Sequence, residues 1–159
     1  MSGSYAFDLP KDIGRFTLTG TGYHLISYQT SAAGDYTDAI ENAGSFTDPK
    51  WKAQVRGRYE KGGFFAQAVW NWTDRTSLFV SGLPATTEDY PDPIIPSINT
   101  FDLAFGANVN DRFSLQFNVF NLTDKLYAGN TGLYAGSSLG VGYVDQIGRR
   151  FQVVARAKF

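Results

Sequence analysis

The sequence predicts an all-β protein, an antiparallel meander, and three observations carry that reading. Residues 51–60 alternate without a fault: Trp51, Ala53, Val55, Gly57 and Tyr59 occupy one parity, and Lys52, Gln54, Arg56, Arg58 and Glu60 the other. Successive side chains of a strand point to opposite sides of a sheet, so this segment shows one oily face and one charged face. Aromatic residues make up 16% of the chain, with Phe and Tyr far ahead of Trp, and glycine is abundant, a mixture that favours strands and tight turns over helices. The connections between alternating segments switch between short and long along the whole chain.

Taken in order, Tyr5-Ala6-Phe7-Asp8-Leu9 alternates briefly and reads as a half-strand. It is stopped by Pro10-Lys11-Asp12-Ile13-Gly14, where proline removes a ladder donor and glycine permits positive φ. Residues 15–29 follow as a long strand, with Thr17, Thr19 and Thr21 on one parity and Phe16 and Leu18 on the other. Gly20 and Gly22 interrupt the pattern and predict a bulge or a close backbone approach. Residues 30–49 lose periodicity and read as a long loop with a short helical turn around Asp38-Ala39-Ile40-Glu41. After the strand at 51–60, the pair Gly62-Gly63 predicts a hairpin. Residues 64–76 return with Ala66, Ala68, Trp70 and Trp72 on one parity and Gln67, Asn71 and Thr73 on the other. Phe64 near the turn and Trp70 and Trp72 at the far end fit two aromatic girdles.

Residues 77–98 form a second long loop, with Pro84, Pro91, Pro93 and Pro96 beside Glu88, Asp89 and Asp92. Those carboxylates have no recognised cation-ligand spacing and read as a solvated acidic loop. Residues 100–110 set Phe101, Leu103, Phe105, Ala107 and Val109 against Asp102, Ala104, Gly106 and Asn108. Asn110-Asp111 turns the chain into Phe113, Leu115, Phe117 and Val119 against Ser114, Gln116 and Asn118. The third long loop, 123–147, is rich in glycine and carries Tyr127, Tyr134 and Tyr143. In the closing strand Phe151, Val153, Ala155, Ala157 and Phe159 share a parity against Gln152, Arg156 and Lys158, with Val154 the exception. The expectation is six full strands plus an N-terminal half-strand.

Several classes are excluded or disfavoured. The net charge is -1 with no basic cluster, which argues against a nucleic-acid partner. Cysteine is absent, so disulfides and thiolate metal sites are too. His24 is the only histidine, reads as a structural or water-facing strand residue, and assembles no catalytic or metal constellation; no enzyme activity and no cofactor is expected. Asn71-Trp72-Thr73 and Asn121-Leu122-Thr123 match a glycosylation sequon at strand ends and are assigned no role.

No run is long and apolar enough for a membrane helix, and the mean hydropathy is -0.23. Alternating strands average to neutral hydropathy, so such a scan is blind to a transmembrane barrel. The charged parity is too costly to bury dry and must see water. Strands of about 9–11 residues cross a bilayer when their backbone is paired into a closed sheet. Tight turns alternating with long loops are how outer-membrane barrels are wired. The expectation is therefore that residues 1–159 are part of a larger transmembrane β-barrel in the bacterial outer membrane. Its lipid would meet the apolar parity, and Lys52, Arg56, Arg58, Asp102, Asn108, Gln116, Asn118 and Arg156 would face the lumen. A basic lumen stripe would attract anionic solute, or pair with Glu60, Asp102 and whatever fills the lumen. Two rivals stand beside this: a soluble β-sandwich that binds glycans through its tyrosine loops, and a small self-closed structural barrel.

Phe117-Asn118-Val119-Phe120-Asn121-Leu122-Thr123-Asp124-Lys125, followed by a Gly- and Tyr-rich loop and then Gly148-Arg149-Arg150-Phe151 running to Ala157-Lys158-Phe159, resembles the C-terminal end of a TonB-dependent outer-membrane receptor. Gly14-Arg15-Phe16 after a proline turn and Pro49-Lys50-Trp51-Lys52-Ala53 before a short hairpin agree with that likeness, which covers essentially the whole chain. Phe151, Val153, Ala155, Ala157 and the terminal aromatic Phe159 also resemble the signal by which the barrel-assembly machinery recognises its clients. The resemblance implies a barrel of about 22 strands around an N-terminal plug, importing ferric siderophores, cobalamin, saccharides or similar scarce solutes with energy relayed through TonB. Neither a plug nor a signal-peptide pattern is present, so the chain is expected to be the C-terminal segment of such a receptor and not transport-competent alone.

Overall fold

The computed structural model describes residues 1–32, 34, 37–45, 47–77, 94–126 and 147–158. In chain order the strands are β1 (Ser2–Leu9), β2 (Gly14–His24), the two-residue β3 (Gln29–Thr30) and β4 (Ile40–Glu41), β5 (Trp51–Lys61), β6 (Phe64–Thr73), the two-residue β7 (Thr76–Ser77) and β8 (Ile94–Ile95), β9 (Ile98–Asn108), β10 (Phe113–Phe120) and β11 (Arg150–Ala157). The seven long strands form one sheet in the order β1-β2-β5-β6-β9-β10-β11, antiparallel throughout. The fold is all-β, as the alternation requires. Among the described residues β1 and β11 are the two edges and do not pair with each other, so the sheet is open.

Register decides what each face carries, because directly paired residues project to the same side. One row crosses all seven strands as Phe7, Phe16, Tyr59, Ala66, Phe105, Phe117 and Val153. The adjacent row, one residue along, is Ala6, Thr17, Arg58, Gln67, Ala104, Asn118 and Gln152 on the opposite face. The sheet thus has an apolar face and a polar face that keep their identity from edge to edge. A one-residue slip in any strand would exchange them.

The apolar face is uncovered among the described residues. Tyr5, Leu18, Trp51, Phe64, Phe101, Phe105, Leu115, Phe117, Phe151 and Val153 are all exposed, Tyr5 at 70% and Val153 at 65%. Ala104 and Val119 are the buried apolar residues of the described part. Leaving a large apolar side chain half in water forgoes about 1 kcal/mol, and over the whole face that loss is comparable to the entire stability of an ordinary domain. Aromatics gather at both ends of the strands, with Phe7, Phe16, Tyr59 and Phe64 toward the short turns and Trp51, Trp70, Trp72 and Phe101 toward the long connections.

Short connections join β1 to β2, β5 to β6 and β9 to β10; long ones join β2 to β5, β6 to β9 and β10 to β11. In an antiparallel meander this puts every short turn at one end of the sheet and every long connection at the other. The first short turn is a single 3-10 turn at Pro10–Asp12, in which Lys11 and Asp12 are left-handed at φ 60° and 53°. The Tyr59 hydroxyl donates to the Ile13 carbonyl and pins it. Gly14 follows at φ 139°, and a Cβ there would stand 2.5 Å from the Glu60 carbonyl oxygen, so only glycine lets the turn meet β5.

Three expectations are corrected. β1 starts at Ser2, not Tyr5, because Ser2-Gly3-Ser4 finds backbone partners in Thr21, Gly20 and Thr19 without needing an apolar signal. β2 ends at His24; Gln29–Thr30 forms a separate short ladder with Ile40–Glu41, which replaces the expected helical turn. Gly20 and Gly22 mark neither a bulge nor a close approach, since the β2–β5 register is unbroken and a Cβ at either would meet nothing within 4 Å. Of the two roles expected for His24 the structural one fits: it lies on the apolar face and stacks on its cross-strand partner Trp51 at 3.7 Å between ring centroids. Glu88, Asp89, Asp92, Tyr127, Tyr134, Tyr143 and Phe159 lie outside the described residues.

Candidate functional site on the polar face

Lys52, Arg56, Arg58, Asp102, Asn108, Gln116, Asn118 and Arg156 all project from the polar face. The pairings Arg58 with Gln67, Gln67 with Ala104 and Ala104 with Asn118 run across it. One row further on, Glu60, Phe65, Gly106, Gln116 and Val154 are neighbours in turn. Arg156 stands beside Ser114, and Ser114 beside Asn108.

Most of this polarity is satisfied internally. Arg58 forms an ion pair with Glu60 at 2.8 Å, and its guanidinium lies 4.0 Å over the Phe65 ring. Phe65 in turn packs over its cross-strand neighbour Gly106, where a Cβ would come 2.2 Å from the ring, so the absence of a side chain there is what makes room for the aromatic. Arg56 Nη2 donates to Gln54 Oε1 at 3.3 Å, Gln54 Nε2 to Asn71 Oδ1 at 2.8 Å, and Asn71 Nδ2 to Asp102 Oδ2 at 3.0 Å. A second ladder runs from Gln116 Nε2 to Asn118 Oδ1 at 2.7 Å and from Asn118 Nδ2 to Gln152 Oε1 at 3.0 Å. Asp102 does not pair with an arginine, because Val69 stands between it and Arg56 in the row.

Asp102 Oδ1 accepts instead from the Asn121 N–H at 2.9 Å. Asn121 is the most buried side chain of the described part, 1% exposed, and its carboxamide closes the turn after β10 by bonding both the N–H and the carbonyl of Lys125. Its backbone is left-handed at φ 51°, a conformation asparagine tolerates better than most residues. Asp124, also left-handed, accepts from the Arg149 N–H at 2.8 Å and lies 3.7 Å from its guanidinium. The run Asn121 to Lys125 therefore ties β9, the end of β10 and the start of β11 into one knot. Its motif was visible in the sequence, whereas the hub role of Asn121 and the network through Gln54 and Asn71 were not.

At the long-connection end, Glu41 organises the β3–β4 arm. It accepts from the Ser27 hydroxyl, from the Tyr28 N–H at 2.7 Å and from the Ala43 N–H at 2.9 Å. Those bonds, the Ser27 hydroxyl foremost, hold its carboxyl down to about 2 from the usual 4.5. The Ser77 N–H bonds the Gly44 carbonyl at 2.9 Å, which joins the first two long connections at their bases. Phe151, Val153, Ala155 and Ala157 alternate on the apolar face against Val119, Phe117, Leu115 and Phe113. No group of three or more metal-ligating side chains occurs among the described residues. No family model, curated protein or solved structure matches this chain.

Proposed function

We propose that this chain is the C-terminal barrel segment of a TonB-dependent receptor of the bacterial outer membrane, serving uptake of a scarce solute such as a ferric siderophore, cobalamin or a saccharide. Its partners are outer-membrane lipid on one face, a plug and the remaining barrel strands on the other face and edges, the barrel-assembly machinery through β11, and TonB through the plug. One observation carries the reading: a seven-stranded sheet exposes large apolar side chains on one face from edge to edge while the other face holds its charges. A sandwich would cover that apolar face with a second sheet, and among the described residues no second layer lies against it. Aromatic belts at both strand ends, with tight turns at one end and long connections at the other, are further support.

The test uses Trp51, Trp70 and Trp72, the chain's three tryptophans, all on the apolar face at the long-connection end. Refolded into vesicles with lipids brominated at different depths, their fluorescence is expected to be quenched most by bromine near the headgroups and least by bromine at the bilayer centre. Tryptophans that no brominated lipid quenches would refute the membrane reading.

A further inference from the structure

We propose that the polar face carries a carboxylate-binding notch at its short-turn end, formed by Arg156, Ser114 and Asn108 with Arg58 as the opposite wall. The register sets Asn108, Ser114 and Arg156 side by side on β9, β10 and β11. None of these three side chains has a hydrogen-bond or ion-pair partner among the described residues. They rim a concavity of about 250 Å³ that also takes in Arg58, Phe65 and Gln116. Elsewhere on this face the amides and Asp102 bond to one another. Among the described residues hydrogen-bonding capacity is left over here, in a hollow, beside a guanidinium with no partner.

The sign and size of the ligand follow from the same residues. Arg58 and Arg156 against Glu60 leave one positive charge, so the complement is a singly charged anion. A guanidinium fork flanked by a hydroxyl and a carboxamide suits the two oxygens of a carboxylate, which the fork binds through two parallel hydrogen bonds. Pockets for drug-sized ligands start at about 300 Å³, so this one suits a small acid or one acidic side chain and not a bulky chelate. Arg58 is held by Glu60 and Phe65 and acts as a fixed electropositive wall. The proposal needs only the sheet and does not depend on the membrane reading.

The full chain, in whichever of detergent micelles or plain buffer gives a β-type circular dichroism spectrum, is titrated calorimetrically with three probes: propionate, an end-capped glycine decapeptide with one central glutamate, and inorganic phosphate. Folding in plain buffer would count against the receptor proposal and leave this titration equally informative. Carboxylate binding is expected, with Arg156→Gln weakening it by about tenfold, Arg156→Lys by less, and Arg112→Gln, a turn arginine outside the notch, leaving it unchanged. Propionate binding tighter than the peptide assigns the notch to a free acid; the reverse assigns it to an acidic side chain of a protein segment lying on the polar face. Absence of carboxylate binding, equal affinity in Arg156→Gln, or tighter binding of phosphate than of either carboxylate overturns the proposal.

Discussion

At the scale of single residues, two positions carry more than their type suggests. Phe65 occupies the space over Gly106, and Gly106→Ala places a methyl 2.2 Å from the ring, so Phe65, which also carries the Arg58 guanidinium, must shift. A loss of roughly 1–3 kcal/mol is expected from such overpacking, measured by denaturant unfolding in detergent. Phe65→Leu in the same chain should recover most of it, and a Gly106→Ala variant as stable as the parent would show that the ring does not rest there. Asn121 closes its turn with a buried carboxamide on a left-handed backbone. Asn121→Ala loses the bonds and keeps an unfavourable φ, at about 1–3 kcal/mol. Asn121→Gly loses the bonds alone and should fall between alanine and the parent; glycine ranking below alanine would mean that backbone conformation contributes nothing. Neither role is legible from sequence. Gly106 matters through Phe65 on the neighbouring strand, and Asn121 through a carboxamide that folds back onto Lys125 four residues on, a contact its residue type does not announce.

At the scale of elements, strands were legible where the parity is clean, and so was the alternation of short and long connections, but the pairing inside the first long connection was not. The β5, β9, β10 and β11 segments announce their faces because alternation is a local property of ten or so residues. The β3–β4 arm has no such signal: two residues on each side pair although nine residues separate them in sequence, and Glu41 holds them by accepting from Ser27, Tyr28 and Ala43. Its carboxyl is held below its ordinary value, so its support for the folded arm is complete above about pH 4.5 and is lost as pH falls from 4.5 to about 2. The Tyr28 and Ala43 amide resonances should titrate with a midpoint near pH 2. Glu41→Gln should remove that titration and loosen the arm at neutral pH; a wild-type midpoint at an ordinary carboxylate value would show that the bonds do not persist in solution.

At the scale of the whole molecule, the sheet has two unpaired edges and an uncovered apolar face among the described residues. Exposed edge strands template pairing with other chains, and exposed apolar area drives association in water. The isolated chain is therefore expected to sediment as aggregates in plain buffer and to disperse only in detergent. A folded monomer in plain buffer by analytical ultracentrifugation would contradict the receptor proposal. By itself the sequence determined the all-β class, the antiparallel meander and the face of nearly every strand residue, because parity and turn composition act over a few neighbours. Only the tertiary structure decided that Gly20 and Gly22 sit in an unbroken ladder, that His24 stacks on Trp51, that Asp102 serves Asn71 and Asn121 and no arginine, and that Arg156 faces a hollow with nothing to bind among the described residues. Each of these is a relation between strands, fixed by register and by which side chain stands between two others, and no local pattern encodes it.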